Sequence, residues 1–168
     1  MSIGFSILQI LGLVSKNDML KIGSKAPDFS LPNQDEKVIS LSDFKGKKLI
    51  IFFYPADNTP TCTAEACNLS DNYTLLTKAG YAVIGVNADG IKKHQNFKKK
   101  YNFPFDLLAD TESEMIKAYK VWGEKTMFGK KYMGIVRTTF VLDEEGKVSR
   151  IIDTVKAKEH AQQILEHD

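Results

Sequence analysis

A chain of 168 residues with 43% hydrophobic and 26% charged residues has the size and balance of one soluble globular domain, which excludes a disordered or collagenous chain. Its 23 basic and 21 acidic residues leave a net charge of +2, too even to mark a nucleic-acid binder. Two cysteines cannot form a disulfide scaffold and need another explanation.

The first residues stand apart. In residues 2–14, eight of thirteen positions are large and apolar: Ile3, Phe5, Ile7, Leu8, Ile10, Leu11, Leu13 and Val14. The run falls short of the roughly 20 residues that span a bilayer. Lys16 is its first basic side chain and no A-x-A site follows, so no membrane segment or export signal is read and a cytoplasmic location is expected. Ile3, Ile7, Ile10, Leu11 and Val14 fall at the spacing of an amphipathic helix. Residues 1–18 are read as an apolar extension, with Met19 as an alternative start, and 19–168 as a single domain.

After Pro27, strand and helix signals alternate. Residues 49–54 form a continuous apolar run, expected as a strand buried on both faces and ended by Pro55. A helix is expected over 60–78 with Gly80 as its stop, then a second buried strand over 81–86. Asp89 can cap a basic helix at Ile91–Tyr101, stopped by Pro104; its Lys92, Lys93, Lys98, Lys99 and Lys100 suit a solvated face. Thr111-Glu112-Ser113-Glu114 reads as a capping box for a short helix through Tyr119. Met115, Tyr119 and Trp122 share helical spacing and suit core or cleft wall. Thr138–Leu142 and residues 147–152 flank a hairpin turn with Gly146 at positive φ. A last helix carries Ala157, Ala161 and Ile164 on one face. The alternation implies an α/β sheet covered on both faces. His94, His160 and His167 are expected at the surface. No G-x-G-x-x-G, P-loop or G-x-S-x-G occurs, so nucleotide-binding and serine-hydrolase readings lack support.

The informative segment is Tyr54-Pro55-Ala56-Asp57-Asn58-Thr59-Pro60-Thr61-Cys62-Thr63-Ala64-Glu65-Ala66-Cys67. It follows a buried strand and opens a helix, where α/β folds place ligand sites. Thr59 and Pro60 suit the N-cap and first helical position. Cys62 then sits in the first turn, where unpaired N–H groups and the helix dipole favour an anion, so its thiol is expected to be acidified and reactive. Cys62, Ala66, Leu69, Tyr73 and Leu76 share one helix face. Cys67 lies about 140° around the axis, its Cα about 8–9 Å from that of Cys62, beyond the ~7 Å limit for a disulfide. Pairing the two requires the first turns to unwind. Glu65, one turn from Cys62, reads as a cap-region acid. Two cysteines are too few for a four-ligand structural zinc site, and four residues separate them, unlike a C-x-x-C motif. Taken singly, Cys67 also suits an inert small hydrophobe and Arg137 a surface ion pair.

Pro55-x-x-x-Thr59-x-x-Cys62 resembles the active-site signature of the peroxiredoxins, and the stretch through Cys67 is similar to their Q-type, or bacterioferritin comigratory protein, subfamily. The likeness extends to Gly23-Ser24-Lys25-Ala26-Pro27-Asp28-Phe29, Tyr119-x-Val121-Trp122-Gly123-Glu124-Lys125 and Gly134-Ile135-Val136-Arg137-Thr138-Thr139-Phe140-Val141, about residues 21–168 in all. It implies a thioredoxin-like fold, with a central mixed sheet flanked by helices on both faces. It implies a cofactor-free thiol peroxidase acting on hydrogen peroxide and alkyl hydroperoxides. Carried over by motif, Cys62 is the peroxidatic cysteine and becomes a sulfenic acid. Thr59 hydrogen-bonds thiolate and peroxide, Pro55 shields the site, and Arg137 pairs with the thiolate and polarises the peroxide. Cys67 is the resolving cysteine of an intramolecular disulfide that a thioredoxin-like or glutaredoxin-like partner reduces. A monomer without nucleic-acid or membrane partners is expected.

Two rival readings fit the same residues. One is a thiol–disulfide oxidoreductase on the same fold. The other is a non-enzymatic redox sensor or metal-binding module in which Cys62 and Cys67 signal or chelate without turnover.

Overall fold

A computed structural model of the chain describes residues 19–166. The amphipathic reading of the N-terminal extension and the surface placement of His167 fall outside the described residues. Ser30–Pro32 (β1) and Val38–Ser40 (β2) form a short antiparallel hairpin, and a 3-10 turn at Leu41–Phe44 leads into Lys48–Phe53 (β3). Then follow Pro60–Asp71 (α1), Tyr73–Lys78 (α2), Tyr81–Asn87 (β4), Ile91–Tyr101 (α3), Asp106–Ala109 (β5) and Glu114–Ala118 (α4). Trp122–Met127 (β6), Lys130–Ile135 (β7), Thr138–Leu142 (β8), Val148–Ile152 (β9), a 3-10 turn at Ala157–Glu159 and His160–Leu165 (α5) complete the order.

The central sheet runs β5-β4-β3-β8-β9, with β3 parallel to β4 and antiparallel to β8. Strand residues alternate between faces. Ile50, Phe52 and Tyr54 pack with Ala66, Leu69, Leu76, Phe97, Ala161 and Ile164 from α1, α2, α3 and α5. Leu49, Ile51 and Phe53 pack on the other face with Met115 and Ile116 of α4. Helices on both sides explain why β3 reads as an unbroken apolar run, and the expected α/β layering is borne out.

Several boundaries differ from expectation. The helix expected over 60–78 breaks at Asn72, whose side-chain amide donates to Asn68 O at 2.8 Å, competing with the backbone for that carbonyl. Gly90, not Asp89, precedes α3, because the Asp89 carboxylate instead accepts from Asp57 N and the Asn87 amide. The same helix ends before Pro104, at Asn102 with φ 54°. The acid at the head of α4 is Asp110, which accepts from the N–H groups of Glu114 and Ile116, in place of the Thr111 capping box. The β8–β9 hairpin stands where expected, with Gly146 at φ 78°. Ala161 and Ile164 share the buried side of the last helix, but Ala157 falls in the 3-10 turn before it.

The β6–β7 hairpin was not anticipated. Its strands carry few buried side chains, and its turn places Phe128 and Gly129 at φ 52° and 76°. Met115 and Tyr119 are core, but Trp122 starts β6 and is 38% exposed, so the helical spacing that linked the three does not hold. His94 and His160 are fully buried rather than at the surface, because each finds polar partners inside. Among the described residues no helix is long and apolar enough to cross a membrane.

Candidate active site

Pairing of Phe53 with Thr138 sets the start of β8 beside the end of β3. The loop 55–59 leaves β3 there and α1 begins. Thr59 is extended, at φ −90° and ψ 155°, Pro60 takes the first helical position, and Thr63 N donates to Thr59 O at 2.8 Å. Cys62 therefore lies in the first turn, as the sequence implied. It is 1% exposed and turned onto the core face with Ala66 and Leu69.

Arg137 arrives from the link between β7 and β8. The base of the β6–β7 hairpin positions it: Trp122 pairs with Ile135 and Val136 N donates to Val121 O at 2.8 Å. Its Nη2 donates to Cys62 Sγ at 3.1 Å and its Nη1 to Glu65 Oε1 at 2.6 Å. One planar guanidinium thus grips two α1 residues a turn apart. Glu65 is fully buried, and that burial pushes its carboxyl up to about 7 against the pull of Arg137. Lys125 of β6 donates to Ile135 O at 2.8 Å; burial, then Arg137, holds its amine below the usual range while Cys62 opposes.

The remaining candidates sit around this pair. Pro55 is half-buried at the head of the loop. The Thr59 hydroxyl donates to Ala56 O at 3.1 Å, so here it braces the loop, and the capping of α1 is by backbone alone. Cys67 is half-buried on the same helix, and both cysteines are free thiols. Burial and then the Asp71 charge push the Cys67 thiol up. With α1 continuous through both, helical geometry keeps their Cα atoms about 8–9 Å apart.

Sequence reasoning missed the support beneath the loop. Asp57 Oδ1 accepts from Tyr54 Oη at 2.6 Å and the Asn87 amide at 3.0 Å, and Oδ2 meets His94 Nδ1 at 2.5 Å. His94 Nε2 faces Leu108 O at 2.9 Å; a carbonyl only accepts, so that nitrogen bears a proton. Burial, then Asp57, pushes the Tyr54 phenol well up. The loop is thereby tied to β4, α3 and β5. Among the described residues no cluster of three or more His, Cys, Asp or Glu is arranged to hold a metal ion.

A profile of the AhpC/TSA family matches residues 22–151. The chain is 47% identical over 146 residues to the putative peroxiredoxin bcp of Coxiella burnetii, covering 87% of this chain and 97% of the relative. It is 43% identical to peroxiredoxin Bcp of Bacillus subtilis, covering 88% and 94%. Among solved structures, Xanthomonas campestris peroxiredoxin Q matches with a TM-score of 0.77 at 36% identity, covering 83% of this chain and 88% of that one. A Xylella fastidiosa PrxQ mutant matches at 0.83 and 29% identity, covering 88% and 94%. These neighbours share the thioredoxin-like fold that the resemblance implied.

Proposed function

This chain belongs to the AhpC/TSA family and is a peroxiredoxin, a thiol peroxidase, and from that premise we propose how its own residues carry the reaction. The Cys62 thiolate attacks one peroxide oxygen, a sulfur–oxygen bond forms and the O–O bond breaks. The other oxygen departs as water or alcohol after taking up one proton, and Cys62 is left as a sulfenic acid. The observation that carries this reading is the Arg137 Nη2 to Cys62 Sγ contact of 3.1 Å at the first turn of α1.

Negative charge moves from sulfur to the leaving oxygen during attack. A fixed guanidinium and the first-turn N–H groups, which have no acceptor within the helix, are preorganised for it. Thr59 and Pro55 shape the loop through which peroxide approaches. The Xanthomonas campestris relative is described by its alkyl peroxide reduction activity. Hydrogen peroxide and alkyl hydroperoxides are accordingly the proposed substrates.

Cys67 then condenses with the sulfenic acid, releasing water and forming an intramolecular disulfide. A thioredoxin-like or glutaredoxin-like dithiol reduces it, and the protein acts as a monomer. Peroxide-dependent NADPH consumption with thioredoxin and thioredoxin reductase tests the whole cycle. Reduction of insulin disulfides without peroxide turnover would point to a thiol–disulfide oxidoreductase instead. One oxidation without further cycling under any dithiol would point to a sensor.

A further inference from the structure

Arg137 is one cation set between two acids, Glu65 through Nη1 and Cys62 through Nη2. The second Glu65 oxygen, Oε2, is buried and has no hydrogen-bond partner. It faces His160 Nε2 of α5 at 3.5 Å. The neighbours of His160 fix its tautomer. Gln163 Nε2 donates to Thr154 O at 2.9 Å, so Gln163 Oε1 is the atom that accepts from Lys156 N and from His160 Nδ1. His160 therefore carries its proton on Nδ1, and Nε2 is a lone pair to which Thr139 Oγ1 donates at 2.7 Å. An ionised Glu65 sets Oε2 against that lone pair with no proton between them, although both side chains are fully buried. Leaving a buried acceptor so is costly, and a proton on Oε2 directed at Nε2 gives Oε2 a partner, sharing that lone pair with the Thr139 hydroxyl.

We propose that Glu65 Oε2 and His160 Nε2 form a buried site for one proton, and that this proton and the charge on Cys62 are coupled through Arg137. The coupling rests on the roles given above to Cys62 and Arg137. Burial, with Arg137 and Arg150 adding and Gln163 opposing, pushes the His160 ring down to about 4, so the proton resides on the carboxyl. The charged groups bearing directly on the pair are Arg137 and Arg150; Cys62 bears on Arg137, and Lys125 faces both Arg137 and Cys62. While Cys62 is a thiolate it shares the guanidinium, and Glu65 keeps its proton. Once Cys62 is neutral, Arg137 serves Glu65 alone and the carboxyl lets its proton go. The effect is reciprocal by linkage.

The test is a pH titration of the protonated-carboxyl infrared band on the whole chain, without peroxide. The reduced protein should show a band titrating near pH 7 that is lost in Glu65→Gln. In Cys62→Ser, where a neutral hydroxyl replaces the thiolate, the midpoint should fall by about one pH unit. Thr139→Val removes the donor competing for Nε2 and should raise the midpoint; a merely loosened interior would hydrate the carboxyl and lower it. The His160 Nε2 nitrogen resonance should follow the same midpoint and stay constant in Glu65→Gln. Equal midpoints in the reduced protein and Cys62→Ser overturn the coupling. A missing band, or an Nε2 resonance indifferent to Glu65, overturns the proton site. None of these readouts uses peroxide turnover, so a failed peroxidase assay beside an intact titration counts against the proposed function alone.

Discussion

Asp57 and His94, 37 positions apart in the chain, meet at 2.5 Å directly beneath the loop that delivers Cys62. Both side chains are almost wholly withdrawn from solvent, at 3% and 0% exposure. The contact joins the one irregular stretch between β3 and α1 to the rigid layer of α3 and β5, so the placement of the thiol depends on a histidine remote from it in sequence.

Breaking that pair on one side should therefore affect both stability and attack. Asp57→Ala and His94→Ala each strand a buried polar partner, and a loss of about 3 kcal/mol is expected from each in denaturant titrations. The double variant should lose clearly less than the sum, since neither partner is then left alone. Peroxide reaction rates of the folded single variants should fall on the order of tenfold as the loop loosens.

Arg137 should matter by more than ionisation allows. A thiol of ordinary pKa ~8.5 is about 3% ionised at pH 7, so complete ionisation accounts for only ~30-fold in rate. Arg137→Ala should slow the second-order reaction with peroxide by on the order of 10²–10³, as for the removal of a preorganised transition-state donor. Arg137→Lys, which cannot span Glu65 and Cys62 with one planar fork, should fall between. A loss within ~30-fold for Arg137→Ala, read by stopped-flow, would remove the charge-stabilising role.

The cysteines should separate by variant. Cys62→Ser should abolish peroxide consumption. Cys67→Ser should form sulfenic acid in a single burst, trapped by a dimedone-type reagent, and fail to cycle with thioredoxin. In the native protein, intact mass after one equivalent of peroxide should show the loss of two hydrogens. Normal cycling by Cys67→Ser would assign resolution elsewhere.

Glu65 and His160 should give opposing slopes of stability with pH. The Glu65 carboxyl is raised from 4.5 to about 7 in the fold, so its contribution is fully present below pH 4.5 and lost as pH rises through 7, a change of about 3 kcal/mol. The His160 ring is lowered from 6.5 to about 4, so its contribution is present above pH 6.5 and lost as pH falls through 4. The two offset each other across the shared window. Glu65→Gln should therefore gain stability with pH between 4.5 and 6.5 more steeply than the native chain, as read from urea midpoints at several pH values.

Much of this site was legible because its parts are local. Thr59-Pro60 fixes the start of α1, which fixes the turn that holds Cys62, and the motif before Thr138 marked Arg137. What escaped was non-local. Asp57 read as loop polarity and His94 as surface because their partnership exists only when β4, β5 and α3 are assembled. Glu65 was seen one turn from Cys62, but its burial depends on α5 closing over α1. The β6–β7 hairpin was hidden because its strands are half-exposed and lack the period-two apolar pattern.

The residue after Cys67 sets a limit on how the helix can rearrange. Asn68 is riveted to the C-terminal segment, donating to Lys158 O at 2.9 Å and accepting from Ala161 N at 2.7 Å. Cys67 is thus anchored from behind by main-chain partners, whereas the turn bearing Cys62 is held by the Arg137 fork and the loop ahead of it. For the disulfide proposed between them, Cys62 should be the traveller and Cys67 the dock, with unwinding expected to halt where the asparagine rivet begins.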